Sequence, residues 1–125
     1  MRWRPVRVWY LAVGLCLFAT AYAGPPPIAR EEIAYLLSTV SASDCEFYRN
    51  DAWYDAKAAA SHLSSKYDYL LARNLVQSAE DFIEKAATKS SLSGRAYAIR
   101  CQGSEEFPSS LWLLNLLARY RESPH

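Results

Sequence analysis

The sequence predicts a mostly α domain of about four helices, with a short two-stranded β pairing clamped by a disulfide. Three observations carry that expectation. Apolar residues recur at steps of three and four over four separate segments. Two brief stretches, residues 45–49 and 97–101, alternate with period two instead. Each of those stretches holds one cysteine.

The chain begins with a segment that reads as an export signal. Arg2, Arg4 and Arg7 make a positive start, residues 8–20 are uncharged and apolar, and Ala21-Tyr22-Ala23 follows with small residues at the −3 and −1 positions. An apolar run of about 13 residues reaches roughly 20 Å as a helix, short of a bilayer core of roughly 30 Å. Residues 1–23 are therefore expected to be a cleaved signal peptide, leaving residues 24–125 as one small helical domain. An uncleaved anchor and a lipoprotein at Cys16 are the competing readings; against the second, the large Leu15 precedes the cysteine and apolar residues follow it. Removing three arginines turns the balance of 14 basic and 13 acidic residues into 11 against 13. A mildly acidic domain has no electrostatic reason to seek phosphate backbones, so nucleic acid is not an expected partner.

Export changes the meaning of the cysteines. In an oxidising compartment, Cys45 and Cys101 read as a disulfide closing a loop of about 57 residues. Neither belongs to a C-x-x-C pair, and the domain has only His62 and His125 to complete a zinc shell. No metal and no cofactor is implied.

The elements follow in order. Gly24-Pro25-Pro26-Pro27 is a stiff leader. Ile33, Leu36, Leu37 and Val40 form one helical stripe, with Glu31 and Glu32 expected in the first turn. After the first extended stretch, Asn50-Asp51 reads as a turn and helix N-cap. Trp53, Ala56, Ala60, Leu63, Tyr67 and Leu70 then make a long seam. The apolar phase slips near Arg73-Asn74 and restarts as Leu75, Ala79, Phe82, Ile83 and Ala86. Two helices are expected there, with Asn74 and Gln77 as a capping box; a single bent helix over 52–87 is the competing reading. A Ser-rich loop over 88–94 leads to the second extended stretch. A last helix after Ser109 or Ser110 is apolar nearly all round, which suits an element wrapped by its own domain.

Chemistry is sparse. The chain contains no G-x-S-x-G, S-x-x-K, H-E-x-x-H or phosphate-binding glycine loop. Asp55, Ala59, His62, Lys66 and Tyr69 share one helix flank, and the residues from Ser90 to Tyr97 offer hydroxyls, a glycine and an aromatic ring. A disulfide between residues 45 and 101 would bring these regions together. Arg49, His62, Lys66, Ser91, Ser93, Tyr97 and Arg100 are therefore the ligand-binding candidates, a set of cations, hydroxyls and one aromatic that suits an anionic or polyhydroxylated ligand. The structural alternative pairs Arg49 with a carboxylate such as Glu80. No residue is assigned a catalytic role.

Several segments together resemble the YfeK-like family of small exported Gram-negative proteins. They are Cys45-Glu46-Phe47-Tyr48-Arg49-Asn50, His62-Leu63 with Lys66, Ala79-Glu80-Asp81-Phe82-Ile83, and Ser90-Ser91-Leu92-Ser93-Gly94 with Tyr97, Ile99 and Arg100. Asp51 stands where that family has glycine, which weakens a tight-turn reading there. The resemblance implies a periplasmic, mostly helical protein and brings no activity.

Two function classes follow. The first is a non-catalytic envelope module binding a partner protein, a glycan or a small polar or anionic ligand. The second is a small periplasmic hydrolase or transferase that uses Ser91 or Ser93 with His62 and Glu80. Cleavage after Ala23 is expected to yield a mature protein beginning at Gly24. Intact-mass measurement of protein recovered from the periplasm checks this, and a species beginning at Met1 overturns it.

Overall fold

The computed structural model describes residues 2–18 and 24–125. Residues 2–18 are exposed and hold no helix or strand, and the Ala21-Tyr22-Ala23 motif lies outside the described residues. No helix among the described residues is long and apolar enough to cross a membrane.

The described residues form eight elements: α1 (Pro27–Ala42), β1 (Glu46–Arg49), β2 (Ala52–Tyr54), α2 (Ala56–Ala72), α3 (Ala79–Ala86), β3 (Ala98–Arg100), β4 (Phe107–Pro108) and α4 (Ser109–Glu122). The strands form one antiparallel sheet in the order β2-β1-β3-β4. The fold is thus α+β, four helices with a four-stranded sheet, and the expected mostly α domain with two strands is corrected.

The two unexpected strands have a local cause. Asn50 and Asp51 both take positive φ, 49° and 68°. Two consecutive left-handed residues make the two-residue hairpin turn whose twist matches the flanking strands, and Asn and Asp tolerate that conformation best after glycine. The chain therefore reverses into β2 instead of entering a helix, even without glycine at position 51. The helix start moves to Asp55, whose side chain accepts from Ala58 N–H at 2.8 Å. Trp53, expected in the helical seam, pairs with Tyr48 across the hairpin. β4 is two residues long, too short to show a period in sequence.

The break after α2 is present, with different caps. Asn74 (φ 54°) ends α2 in a left-handed turn. Asn74 N–H donates to Leu71 O and Leu75 N–H to Leu70 O, both at 3.0 Å, the paired bonds of a Schellman stop. Ser78 then caps α3, accepting from Asp81 N–H at 3.0 Å, while Asp81 accepts from Gln77 N–H at 2.9 Å. Asn74 and Gln77 bond to each other but do not start the helix.

Ile33, Leu36 and Val40 of α1, Leu63 and Leu70 of α2, Phe82 and Ile83 of α3, and Leu113 and Leu117 of α4 meet in one core, joined by Phe47 and Ile99 from the sheet. The expectation that α4 is covered all round is corrected, since Leu111 and Leu114 face solvent. Glu31 and Glu32 lie beyond the first turn of α1, because that helix starts at Pro27. Cys45 and Cys101 are bonded, one step beyond the Glu46–Arg100 pair in the β1–β3 register.

Glu32 is buried and accepts from Arg121, which also reaches Glu80. This one guanidinium ties α4 to α1 and α3, and it holds the Glu80 carboxyl below the usual range. Removing it leaves the Glu32 carboxylate buried and unpaired. Arg121→Leu is expected to cost about 2–3 kcal/mol, read as a lower melting temperature. The Glu32→Leu/Arg121→Leu double variant is expected to recover most of that loss.

Candidate functional site

Strand parity and helix phase place the candidate residues. Phe47 and Ile99 are paired and face the core. Side chains alternate along a strand, so Arg49, two beyond Phe47, and Tyr97, two before Ile99, lie on that same inner face. Helix α2 packs beneath β1 and presents His62 and Lys66, one turn apart, to this end of the sheet.

The four side chains form one hydrogen-bonded chain. Arg49 Nη1 lies 3.2 Å from His62 Nδ1. Guanidinium only donates, so Nδ1 accepts and the ring proton sits on Nε2. That proton is donated to Tyr97 Oη at 3.2 Å. Lys66 Nζ donates to the same oxygen at 3.2 Å and to the Lys89 carbonyl at 3.3 Å. Arg49 stacks over the Tyr54 ring, with Cζ 4.6 Å from its centroid.

The cluster is rich in donors and poor in acceptors. Tyr97 Oη already accepts two bonds, and its own proton has no acceptor among the described residues. Four salt bridges join described residues, and neither Arg49 nor Lys66 takes part in any of them. Burial, then the Arg49 and Lys66 charges, push His62 down to about 4. Burial, then Arg49, lower Lys66. Burial raises Tyr97, opposed by Arg49. At neutral pH the site holds a neutral imidazole between two cations.

The other candidates are elsewhere. Arg100 points to the outer face of the sheet, bonded to Glu46 and stacked on Trp53 at 3.9 Å. Ser93 Oγ donates to Asn50 Oδ1 at 2.8 Å, pinning the loop to the hairpin tip beside Arg49. Ser91 is exposed. The loop is largely self-satisfied: Ser90 Oγ accepts from Leu92 and Ser93 N–H, and Gly94 N–H closes onto Ser90 O. Of the expected polar flank on α2, Asp55 serves as a cap and Tyr69 lies exposed under Arg73. The Arg49–Glu80 pair is not formed, because Glu80 is held by Arg121. The Ser–His–Glu set does not converge either. Both His62 nitrogens are occupied by Arg49 and Tyr97, and Ser93 is held by Asn50.

Among the described residues, Asp44, Cys45 and Cys101 have metal-ligand proximity, but the two sulfurs are bonded to each other and offer no thiolate. Tyr54 and Ser109 also line the region around Arg49 and His62 and are not among the sequence candidates. The helical seam of the sequence runs through Tyr54, whereas the Asn50-Asp51 turn puts it on a returning strand. Ser109 carries only a helix-cap signal in the sequence.

A family model described as "Family of unknown function (DUF5329)" matches residues 27–121. The match covers most of the chain, and the protein belongs to that family. No curated protein and no solved structure matches. The disulfide fits an extracellular or periplasmic location.

The lowered His62 pKa has a consequence for stability. Between pH 6.5 and about 4 the unfolded chain binds a proton at this position that the folded chain refuses. Stability therefore falls as pH drops through that window. His62→Gln is expected to show a smaller drop in melting temperature than the wild type between pH 7 and pH 4.5. Equal drops would show that His62 titrates normally in the folded protein.

Proposed function

We propose that this is an exported, YfeK-like binding module of the Gram-negative envelope, not a catalyst, and that it captures a small anionic ligand at the Arg49–His62–Tyr97–Lys66 cluster. The observation that carries this reading is the convergence of two cations and a free phenolic proton, with no carboxylate among the described residues to answer them. An anion supplies both missing things, negative charge and hydrogen-bond acceptors. Arg49 then reads the ligand through its planar fork, Tyr97 donates its remaining proton, and Lys66 adds a nearby positive charge. His62 is a neutral spacer that orients Arg49 and Tyr97. A glycan or envelope protein with an exposed acidic group presents the same chemistry. Export rests on the Arg-rich start, the short apolar run and the Ala-x-Ala ending, and it agrees with the disulfide.

The hydrolase alternative loses support because Ser93, His62 and Glu80 are engaged with different partners, and among the described residues no hydrogen bond joins exposed Ser91 to His62.

The test is a titration of the mature protein with inorganic phosphate and with acetate, followed by NMR at the Arg49 Nε–H and the His62 ring. Both anions are expected to shift these signals. Arg49→Ala is expected to abolish the response while melting close to the wild type, since no buried carboxylate loses its partner. Arg100→Ala, on the outer face, is expected to respond like the wild type. A large loss of stability in Arg49→Ala, or a response that survives it, would overturn the reading.

A further inference from the structure

Behind the cluster lies a small cavity of about 30 Å³. Arg49, Tyr54, His62 and Tyr97 stand among its lining residues, and Phe47, Ala59, Leu63 and Leu113 make the rest of the wall almost entirely carbon. One polar group interrupts that wall. Ser109, the first residue of α4, also lines the cavity and is 3% exposed. Its Oγ has no hydrogen-bond partner among the described residues. Its backbone N–H is satisfied by Tyr97 O at 3.1 Å, so the orphan is the hydroxyl alone. A buried hydroxyl without a partner is costly, and native structures pair the great majority of such groups.

Three facts limit what fits. The charged residue lining the cavity is Arg49, which suits a head carrying one negative charge. The donors at that end are the Arg49 fork and the Tyr97 proton, which match the two oxygens of a carboxylate. A cavity of about 30 Å³ takes roughly two water-sized groups, which limits the tail to two or three heavy atoms. The tail must be apolar along its length and polar where it meets Ser109.

We propose that the ligand is a short-chain hydroxy acid, its carboxylate held by Arg49 and Tyr97 and its distal hydroxyl paired with Ser109 Oγ inside the cavity. This rests on the anion-binding reading and narrows it to a substrate class. The tail selects by length and by the terminal hydroxyl. A longer chain does not fit, and a chain without the hydroxyl leaves Ser109 buried and unsatisfied.

The experiment compares propanoate with 3-hydroxypropanoate, and butanoate with hexanoate, by calorimetry on the mature protein, with inorganic phosphate alongside. 3-Hydroxypropanoate is expected to bind about fivefold more tightly than propanoate, the worth of one buried neutral hydrogen bond. Hexanoate is expected to bind more weakly than butanoate. Ser109→Ala is expected to collapse the hydroxy-acid preference to about one, and Ser110→Ala to keep it. Equal affinity for propanoate and 3-hydroxypropanoate in the wild type, with phosphate binding still dependent on Arg49, overturns the tail pocket and leaves the anion site standing. If no anion binds in an Arg49-dependent way, both fall. The wild-type ranking decides the question even if a variant fails to fold.

Discussion

The pairing of β1 with β3 is the constraint on which the site depends. The two strands are only four and three residues long and come from positions 56 residues apart at the disulfide. Strands this short do not hold together alone. The Cys45–Cys101 bond fixes one end of the pairing, and Phe47 with Ile99 buries its middle. Continued along the same register, the far end sets Arg49 against Tyr97. A slip of one residue would send Phe47 and Arg49 to the solvent face and empty both the core and the site. The same contacts that seat the sheet on the helices thus set the geometry of the cation cluster.

Much of the helical frame was legible because helices are long enough to show a period. The stripes on α1 and α3 and the phase slip near Arg73 all correspond to structure. The sheet was half legible. Residues 45–49 and 97–101 each hold enough alternation to be seen, but β2 and β4 have three and two residues. Trp53 also happens to lie in step with Ala56 and Ala60, so the helical seam absorbed it. The decisive signal was Asn50-Asp51, two residues that accept left-handed backbone. Reading them as a helix cap instead of a hairpin turn cost the α+β assignment.

The site shows the same division. Arg49, His62, Lys66 and Tyr97 were reachable from the disulfide and from helix spacing, and they do converge. Arg100 was separable from them by parity alone, since Tyr97, Ile99 and Cys101 share one face and Arg100 has the other. Ser91 and Ser93 were not separable that way. Whether a loop hydroxyl faces a groove or closes its own turn depends on backbone bonds that composition does not encode, and here those bonds include Ser90 Oγ to Leu92 and Ser93 N–H. Ser109 was hidden for a different reason. At a helix start serine is the expected cap, but Pro108 occupies the cap position and Ser109 Oγ makes no capping bond.

The direction of the hydrogen bonds is the argument for proposing binding over catalysis. A general base needs a free lone pair, and the one lone pair of neutral His62 is taken by Arg49. A general acid needs a proton near the working pH, yet burial and the two flanking cations keep His62 unprotonated down to about 4. Lys66 cannot supply the base while it is charged, and its neighbour Tyr97 is pushed away from ionising by burial. Every group in the cluster therefore donates outward or holds a neighbour in place. Such an arrangement favours negative charge beside it, which is the physical ground of the binding proposal. On the proposed reading the neutral histidine is required: protonated at Nδ1, it would lose the bond from Arg49 and repel the guanidinium.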